Sequence, residues 1–385
     1  MRNPLADKVV EIKPSGIRKF FDVVSEMPDA ISLGVGEPDF DTPWHIRDEG
    51  IYSLEKGRTF YTSNAGLMDL RKEICVYLKR KYGVSYDAAK ETLITVGGSE
   101  AIDMALRAMV NPGDEVLIPQ PSYVSYEPCA VLAGATPVII DLKAENEFRL
   151  TAQELRDAIT DKTKILILPF PNNPTGAIME RKDLEAIAEV ILEHDLFVLS
   201  DEIYSELTYK DEHVTIASLP GMQERTILIN GFSKAFAMTG WRLGYACGPA
   251  NIIEQMTKIH QFAIMCAPTL SQFAAIEALK NGDADIEMMA EEYNRRRRYI
   301  YNGLKGIGID VFEPQGAFYI FPNIGEFGMS SEQFCEKLLR DYKCAIVPGE
   351  AFGDSGAGFA RISYAYSIKH ITKALERIEA FVKAL

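Results

Sequence analysis

Short apolar runs alternate with helical stretches from about residue 92 to residue 249. Runs of this length, rich in Val, Ile and Leu, predict buried strands, and the intervening segments have the length of helices. The strand candidates cover residues 93–96, 115–118, 136–140, 165–170, 196–200, 226–229 and 243–249. Strands that alternate with helices predict an α/β fold built on a mostly parallel sheet.

Polar side chains follow these strand candidates, either directly or in the loop beyond. They are Ser99, Tyr123, Asn173, Asp201, Tyr204, Lys234 and Arg242. In a parallel sheet, the loops beyond the strand ends gather at one edge, which is where ligands bind in open α/β folds. Residues kept only for structural reasons are not expected to align in this way, so the pattern predicts a functional site at that edge.

Lys234 lies just past the strand candidate 226–229, between Phe232 and Phe236. Poor solvation disfavours an ammonium ion, which lowers the lysine pKa and makes the amine a nucleophile. Such an amine forms a Schiff base with a carbonyl compound or with pyridoxal phosphate. Ser233 and Arg242 could hold a phosphate, the arginine as a bidentate clamp. A single lysine in this setting is more often a surface residue beside a structural arginine, and only the remaining pattern favours a catalytic role.

Two glycine-rich segments invite comparison with nucleotide-binding loops. Residues 97–100 (Gly-Gly-Ser-Glu) follow a strand candidate and open a helix predicted to begin at Ala101. Free backbone N–H groups there favour a phosphate, bound by backbone and Ser99 rather than by the Glu100 carboxylate, although an ordinary strand–helix turn explains the pattern equally well. Gly34 and Gly36 are not followed by a strand-turn-helix unit, which argues against a Rossmann site.

The net charge of −14 over 385 residues argues against a nucleic-acid partner, so anionic substrates must be bound by local arginines. Six cysteines and five histidines are scattered without zinc-binding spacing, which predicts no metal site and free thiols in a reducing cytoplasm. The N-terminus lacks a signal-peptide pattern, and no apolar run approaches the ~20 residues of a membrane span. We therefore expect a cytoplasmic protein that does not bind membranes.

Four consecutive arginines occupy residues 295–298 of a long helical stretch. Such a run could bind nucleic acid. Because four successive positions spread around a helix and Glu291 and Glu292 flank them, we expect a solvated, ion-paired surface instead.

Ten motifs, in a fixed order along nearly the whole chain, resemble those of the class I/II aminotransferases of fold type I, which use pyridoxal phosphate. They are KPSGIRKF (13–20), GEPDFDTP (36–43), YTSNAG (61–66), VGGSEAI (96–102), PSYVSYEP (121–128), PNNPTGA (171–177), LSDEIYSEL (199–207), FSKAFAMTGWRLGYACGP (232–249), GAFYIFP (316–322) and ARISYA (360–365). The chain is most similar to the branch containing bacterial aspartate, aromatic and N-acetyl-diaminopimelate aminotransferases. The resemblance implies a large domain over residues 47–285, with a mostly parallel seven-stranded sheet flanked by helices. It also implies a smaller α+β domain made of residues 1–46 and 286–385.

The resemblance assigns roles to individual residues. Lys234 would carry the cofactor as a Schiff base and then shuttle the proton, Asp201 would pair with the ring nitrogen, and Tyr204 would bond the phenolic oxygen. The other implied cofactor contacts are Gly98, Ser99, Glu100 (through its backbone), Tyr123, Asn173, Ser233, Arg242 and Tyr61 from the neighbouring subunit of a homodimer. The implied substrate contacts are Arg361, which would bind the α-carboxylate, Gly36, Asn173 and Ser15.

The expected reaction transfers the amino group of an L-amino acid of the aspartate or aromatic type to a 2-oxo acid, with 2-oxoglutarate as the expected acceptor and ping-pong kinetics. No clear second cation for a distal carboxylate is found. The side-chain pocket that the resemblance implies is rather apolar, so aromatic or other large donors fit it; its residues are Ser15, Gly16, Ile17, Tyr123 and the stretch around Met265 and Cys266. A pyridoxal-phosphate-dependent β C–S lyase remains an alternative. A non-catalytic binding protein is less favoured, because Lys234, Asp201, Tyr204 and Arg361 are all present.

Overall fold

The computed structural model describes residues 2–14, 27, 29–210 and 212–385. Its centre is a seven-stranded sheet with the strand order β2-β8-β7-β6-β5-β3-β4. These strands are β2 (Thr92–Thr95), β3 (Glu115–Gln120), β4 (Thr136–Asp141), β5 (Thr163–Leu168), β6 (Phe197–Asp201), β7 (Thr226–Gly231) and β8 (Gly244–Cys247). Strand β8 runs in the opposite direction to the other six strands. The predicted α/β fold with a mostly parallel seven-stranded sheet is confirmed.

Helices cover both faces of this sheet, which explains why its inner strands are continuous apolar runs. Successive residues of β3 point to opposite faces, with Leu117 in one apolar cluster and Val116 and Ile118 in another. The described helices are α1 (Asp7–Glu11), α2 (Trp44–Glu55), α3 (Met68–Tyr82), α4 (Gly98–Met109), α5 (Tyr126–Ala133), α6 (Ala152–Ala158), α7 (Arg181–Glu193), α8 (Ala250–Ala263), α9 (Thr269–Asn281), α10 (Asp283–Ile307), α11 (Ser331–Tyr342) and α12 (Ile368–Val382).

Helix α4 begins at Gly98, three residues before the predicted start at Ala101. Gly97 adopts φ 79°, a conformation that L-residues with side chains rarely adopt, and it turns the chain directly from β2 into the helix. Ser99 and Glu100 therefore lie in the first helical turn, where backbone N–H groups have no partner within the helix.

Two smaller sheets join the N-terminal segment to the C-terminal third of the chain. Strand β1 (Ile31–Ser32) pairs in parallel with β10 (Cys344–Ala345). Strands β11 (Val347–Pro348), β12 (Ala360–Ser363) and β9 (Tyr319–Ile320) form an antiparallel sheet in that order. Strand β9 covers two residues of the GAFYIFP motif (316–322). The domain boundaries at 46/47 and 285/286 stay a prediction.

The arginine run in α10 differs from the expected solvated surface. Arg295 and Arg298 are exposed, but Arg296 and Arg297 are buried. The Arg297 guanidinium pairs with Glu313 at 2.7 Å and donates to the Pro314 carbonyl at 2.8 Å. Four successive helical positions span most of the circumference, so two of them must face the protein when one side of the helix is packed. The predicted ion pairing is present, but the predicted solvation is wrong for these two residues.

None of the helices in the described ranges combines the length and the hydropathy that a membrane span requires.

Candidate active site

The parallel strands bring most of the predicted site residues to one edge of the central sheet. Asp201 is the last residue of β6, and Lys234 follows the end of β7 by three residues. Arg242 precedes a strand instead of following one. Because β8 runs antiparallel to the other strands, its first residues lie at the same edge, and Arg242 is placed there two residues before β8 begins.

Lys234 is partly buried, and its Nζ donates a hydrogen bond to the Gly36 carbonyl at 2.7 Å. The rings of Tyr204 and Phe318 lie with their centroids 5.8 and 5.7 Å from this nitrogen. The pKa of Lys234 is lowered to about 8, mainly by burial; the negative charge of Glu37 opposes this effect, and the positive charges of Arg361 and Arg242 add to it. Near neutral pH a useful fraction of this amine is therefore unprotonated, as a nucleophile or general base requires.

Asp201 is a buried carboxylate at the end of β6. Its Oδ2 accepts a hydrogen bond from the Tyr126 hydroxyl at 2.7 Å, and its Oδ1 accepts one from the Ile203 N–H at 3.3 Å. Burial raises the pKa of Asp201, and these two hydrogen bonds oppose that effect. Among the described residues no cationic side chain forms an ion pair with it. A protonated ring nitrogen is the kind of group that would compensate such a carboxylate.

Tyr204 is also buried, three residues beyond Asp201 on the same segment. Its hydroxyl oxygen lies 2.7 Å from that of Tyr319. Burial raises the pKa of Tyr204 well above its usual value, so the hydroxyl stays neutral and can donate a hydrogen bond.

The turn between β2 and α4 forms a cradle suited to a phosphate. A Cβ on Gly97 would lie 2.9 Å from Nη2 of Arg242, so the absence of a side chain lets this guanidinium pack against the turn. The Ser99 and Tyr123 hydroxyls lie 3.5 Å apart beside it. The Glu100 carboxylate points elsewhere, because its Oε1 pairs with Nδ1 of the buried His260 at 2.9 Å. Backbone N–H groups, hydroxyls and a guanidinium are thus left to bind an anion.

Arg361, on β12, provides a second anion site. Its Nη1 donates to Oδ1 of Asn173 at 2.9 Å and its Nη2 to the Gly34 carbonyl, while its buried Nε has no partner. The rings of Tyr319 and Phe352 lie 4.6 and 4.7 Å from the guanidinium carbon. Among the described residues no carboxylate pairs with this buried cation, which fits the binding of a substrate carboxylate.

The loop containing Gly34 and Gly36 contacts both Lys234 and Arg361, and the predicted substrate contact of Gly36 stays a prediction. The Gly34 carbonyl contacts Arg361, whereas the Gly36 carbonyl contacts Lys234. The amine and the guanidinium are thus connected to carbonyls two residues apart on one short loop.

Comparison with known proteins identifies the family. Residues 28–378 match the model of the family "Aminotransferase class I and II". The chain belongs to this family.

The aminotransferase is 46% identical to an aspartate aminotransferase of Pyrococcus abyssi over 98% of each chain. It is 44% identical to aromatic-amino-acid aminotransferase 2 of Thermococcus litoralis, again over 98% of each chain. The crystal structure of an aromatic aminotransferase from Pyrococcus horikoshii superposes with a TM-score of 0.91 at 46% identity, covering 95% of this chain and 99% of that one. The family resemblance inferred from the ten motifs is confirmed, and so is the fold.

Enzymes of this family depend on pyridoxal phosphate, and the described residues fit that cofactor. Lys234 has a lowered pKa, Asp201 is a buried carboxylate without an ion-pair partner, and the Gly97 turn brings the Arg242 guanidinium next to a helix N-terminus. Their chemistry matches an aldehyde, a ring nitrogen and a phosphate, respectively. Ser233, next to Lys234, is buried in the same loop.

Two predicted site residues of the aminotransferase, Ser15 and Tyr61, stay predictions. Ser15 lies outside the described residues, as do Gly16 and Ile17 of the pocket implied for the side chain. Tyr61 is 77% exposed at the surface of its own chain.

Sequence reasoning also missed Tyr126 and Tyr319, which contact Asp201 and Tyr204. Both tyrosines stand in motifs that the sequence analysis singled out, PSYVSYEP and GAFYIFP. That placement was the available signal, but the chain alone does not show what their hydroxyls reach.

Proposed function

We propose that this aminotransferase transfers the amino group of an L-amino acid of the aspartate or aromatic type to a 2-oxo acid, with 2-oxoglutarate as the acceptor and ping-pong kinetics. The observation that carries the proposal is that Lys234 and Arg361 both contact the loop containing Gly34 and Gly36. Their side chains donate to the carbonyls of Gly36 and Gly34, so one bound amino acid can place its carboxylate at the guanidinium and its Cα near the amine. The names of the relatives support both substrate types.

Each polar group then has a defined task. When bound, pyridoxal phosphate supplies an electron sink for the pair left behind when the Cα proton departs. Lys234, whose pKa is lowered to about 8, would remove the Cα proton and deliver it to the former aldehyde carbon of the cofactor. Asp201 keeps the ring nitrogen protonated, and Tyr126 holds the Asp201 carboxylate in place. Tyr204 donates to the phenolic oxygen.

Binding and orientation fall to a second set of residues. Arg361 would bind the α-carboxylate as a planar fork, and Asn173, which accepts a hydrogen bond from Arg361, would contact the phenolic oxygen. Tyr123 would stack on the cofactor ring. The phosphate contacts proposed are the backbone of Gly98 and Glu100 and the side chains of Ser99, Ser233 and Arg242.

A donor screen tests the reaction. We expect glutamate to form from 2-oxoglutarate with aspartate, with aromatic amino acids or with both, and we expect double-reciprocal plots at several acceptor concentrations to be parallel. Pyruvate and ammonia released from a cysteine thioether without any oxo acid would favour the β C–S lyase instead. No glutamate from any donor would refute the proposal.

Borohydride reduction tests the assignment of Lys234. We expect reduction to fix the cofactor on this residue, with Lys234→Ala losing at least about 10²-fold in turnover as general bases typically do. Peptide mapping that finds the adduct on another lysine would refute the assignment.

We propose further that two chains build each active site and that the enzyme acts in the cytoplasm. Tyr61 has no place in its own chain's site, and both it and the adjacent Phe60 are exposed at the surface. Such a surface suits a symmetric homodimer in which Tyr61 reaches the phosphate of the neighbouring subunit.

Subunit exchange tests the shared site. Mixing inactive Lys234→Ala with an impaired Tyr61→Phe should give mixed dimers with one intact site each, which restores about a quarter of wild-type activity. Demonstrated exchange without recovery would place Tyr61 in the site of its own chain.

A further inference from the structure

Tyr319 contacts three residues of the proposed site, although neither its position in the sequence nor the proposed mechanism gives it a task. Its side chain is buried on β9, and its hydroxyl oxygen lies 2.7 Å from that of Tyr204. Its ring centroid lies 4.6 Å from the guanidinium carbon of Arg361. A Cβ on Gly36 would overlap the Tyr319 hydroxyl, so the loop that accepts the Lys234 hydrogen bond packs directly on it.

The strand pairing explains this placement. Tyr319 lies opposite Ser363 in the antiparallel pair of β9 and β12, and Arg361 stands two residues before Ser363 on β12. Residues two apart on a strand share a face, so Tyr319 and Arg361 are diagonal neighbours on the same side of the small sheet.

We propose that Tyr319 is a positioning residue with two separable tasks. Its hydroxyl donates to the Tyr204 oxygen and thereby directs the Tyr204 hydrogen at the phenolic oxygen of the cofactor. Its ring face holds the Arg361 guanidinium in the orientation that binds the substrate carboxylate. This inference rests on the proposed function, because both tasks act through residues to which that proposal gives roles.

Proton counting supports the first task. A tyrosine hydroxyl has one hydrogen to donate. If Tyr204 donates its hydrogen to the phenolic oxygen, Tyr319 must be the donor in the hydrogen bond between the two tyrosines. Burial raises the pKa of both tyrosines, so both keep that hydrogen. Consecutive hydrogen bonds polarise one another, so donation by Tyr319 strengthens donation by Tyr204.

A spectroscopic consequence follows for the bound cofactor. Donors to the phenolic oxygen stabilise its full negative charge, which develops when the imine nitrogen on Lys234 loses its proton, so they lower the pKa of that nitrogen. The charged groups facing Lys234 are Glu37, Arg361, Arg242 and Asp201. Tyr319→Phe leaves all of them in place and removes only the hydroxyl, so the pKa should rise.

The second task depends on the ring alone. A guanidinium over an aromatic face is attracted by the ring's charge distribution, and phenylalanine keeps that face whereas leucine does not. Tyr319→Phe should therefore leave the Michaelis constants of both substrates unchanged within about twofold. Tyr319→Leu should raise them about 5- to 30-fold, in addition to shifting the cofactor titration.

The test is a pH titration of the visible absorbance of the holoenzyme, together with steady-state kinetics and melting temperatures. We expect Tyr319→Phe to raise the absorbance pKa by about half a unit and to lower kcat about 3- to 10-fold, the range for one buried neutral hydrogen bond. Tyr364→Phe is the matched control. The buried Tyr364 hydroxyl donates to the Ala317 carbonyl at 3.1 Å, near β9 but away from the proposed contacts. The absorbance pKa of the Tyr364→Phe holoenzyme should equal that of the wild type.

Tyr204→Phe separates failure of this inference from failure of the proposed function, which is measured by glutamate formation in the wild type. If Tyr204→Phe raises the absorbance pKa and Tyr319→Phe does not, the hydroxyl task of Tyr319 is refuted. If neither variant changes it, the inference fails together with the role of Tyr204. A Tyr319→Phe enzyme with a lower melting temperature but an unchanged titration would show a purely structural residue and would also overturn the proposal.

Discussion

Replacing Arg296 by methionine should destabilise the fold and disturb substrate binding, whereas the same change at the adjacent Arg295 should do neither. The side chain of Arg296 is 7% exposed, and its guanidinium pairs with Asp39 at 2.7 Å and with Glu292 at 2.8 Å. It also lies over the rings of Phe40 and Tyr293. Among the described residues Arg295 forms an ion pair with Glu292 alone, and its side chain is 63% exposed.

The size of the effect follows from this burial. Removing one partner of a buried ion pair typically costs about 3–5 kcal/mol. The side chains of Asp39 and Glu292 are 27% and 24% exposed, so water partly solvates the carboxylates left behind, and we expect about 3 kcal/mol. At roughly 2 °C per kcal/mol for a large chain, the melting temperature should fall by about 6 °C.

The substrate effect follows from the position of Asp39 in the chain. Asp39 stands three residues after Gly36, whose carbonyl accepts the Lys234 hydrogen bond. Without Arg296 this loop loses an anchor to α10, and the Michaelis constants of the amino donor and the oxo acid should both rise.

Two measurements check this prediction, namely unfolding midpoints in guanidinium chloride and Michaelis constants for both substrates. A double-mutant cycle with Asp39→Asn should show a coupling energy above about 1 kcal/mol for residues in direct contact. Equal midpoints for Arg296→Met and Arg295→Met would refute the reasoning, because the two arginines differ in burial and in the contact with Asp39.

Three further predictions concern the proposed site. In the cofactor-free protein, the folded-state pKa of Lys234 is lowered from 10.5 to about 8, so the folded state binds fewer protons than the unfolded state between these values. Lys234→Met should therefore be more stable than the wild-type apoprotein at pH 7, with an advantage in denaturant midpoint that shrinks as pH rises from 8 to 10.5; a constant advantage would contradict the lowered pKa. Asp201→Asn keeps the shape of the side chain but no longer holds the ring nitrogen protonated, so kcat should fall about 10²–10³-fold while the far-UV circular dichroism stays unchanged. Arg361→Lys keeps the charge but loses the planar fork, so kcat/KM should fall at least about 30-fold for acidic and aromatic donors alike, and a loss confined to acidic donors would assign Arg361 to the side chain instead.

Local sequence patterns were sufficient for the central sheet and for one edge of the site. Strand β7 is an apolar, β-branched run, and the strand it predicts is present within two residues of the predicted end. Because parallel strands end at the same edge, Asp201 and Lys234 could be placed together without knowing any tertiary contact. The ten motifs were sufficient for the family, because their order along the chain is far more specific than any one of them.

Contacts between residues far apart in the sequence were decided only by the tertiary structure. The start of α4 depends on the φ angle of Gly97, and the burial of Arg296 depends on which side of α10 is packed. Strand and helix periodicities show which face of an element is apolar, but they do not show which element packs against that face. Tyr204 and Tyr319 are 115 residues apart, and only the packing of the small sheet against the edge of the large one brings their hydroxyls within hydrogen-bonding distance.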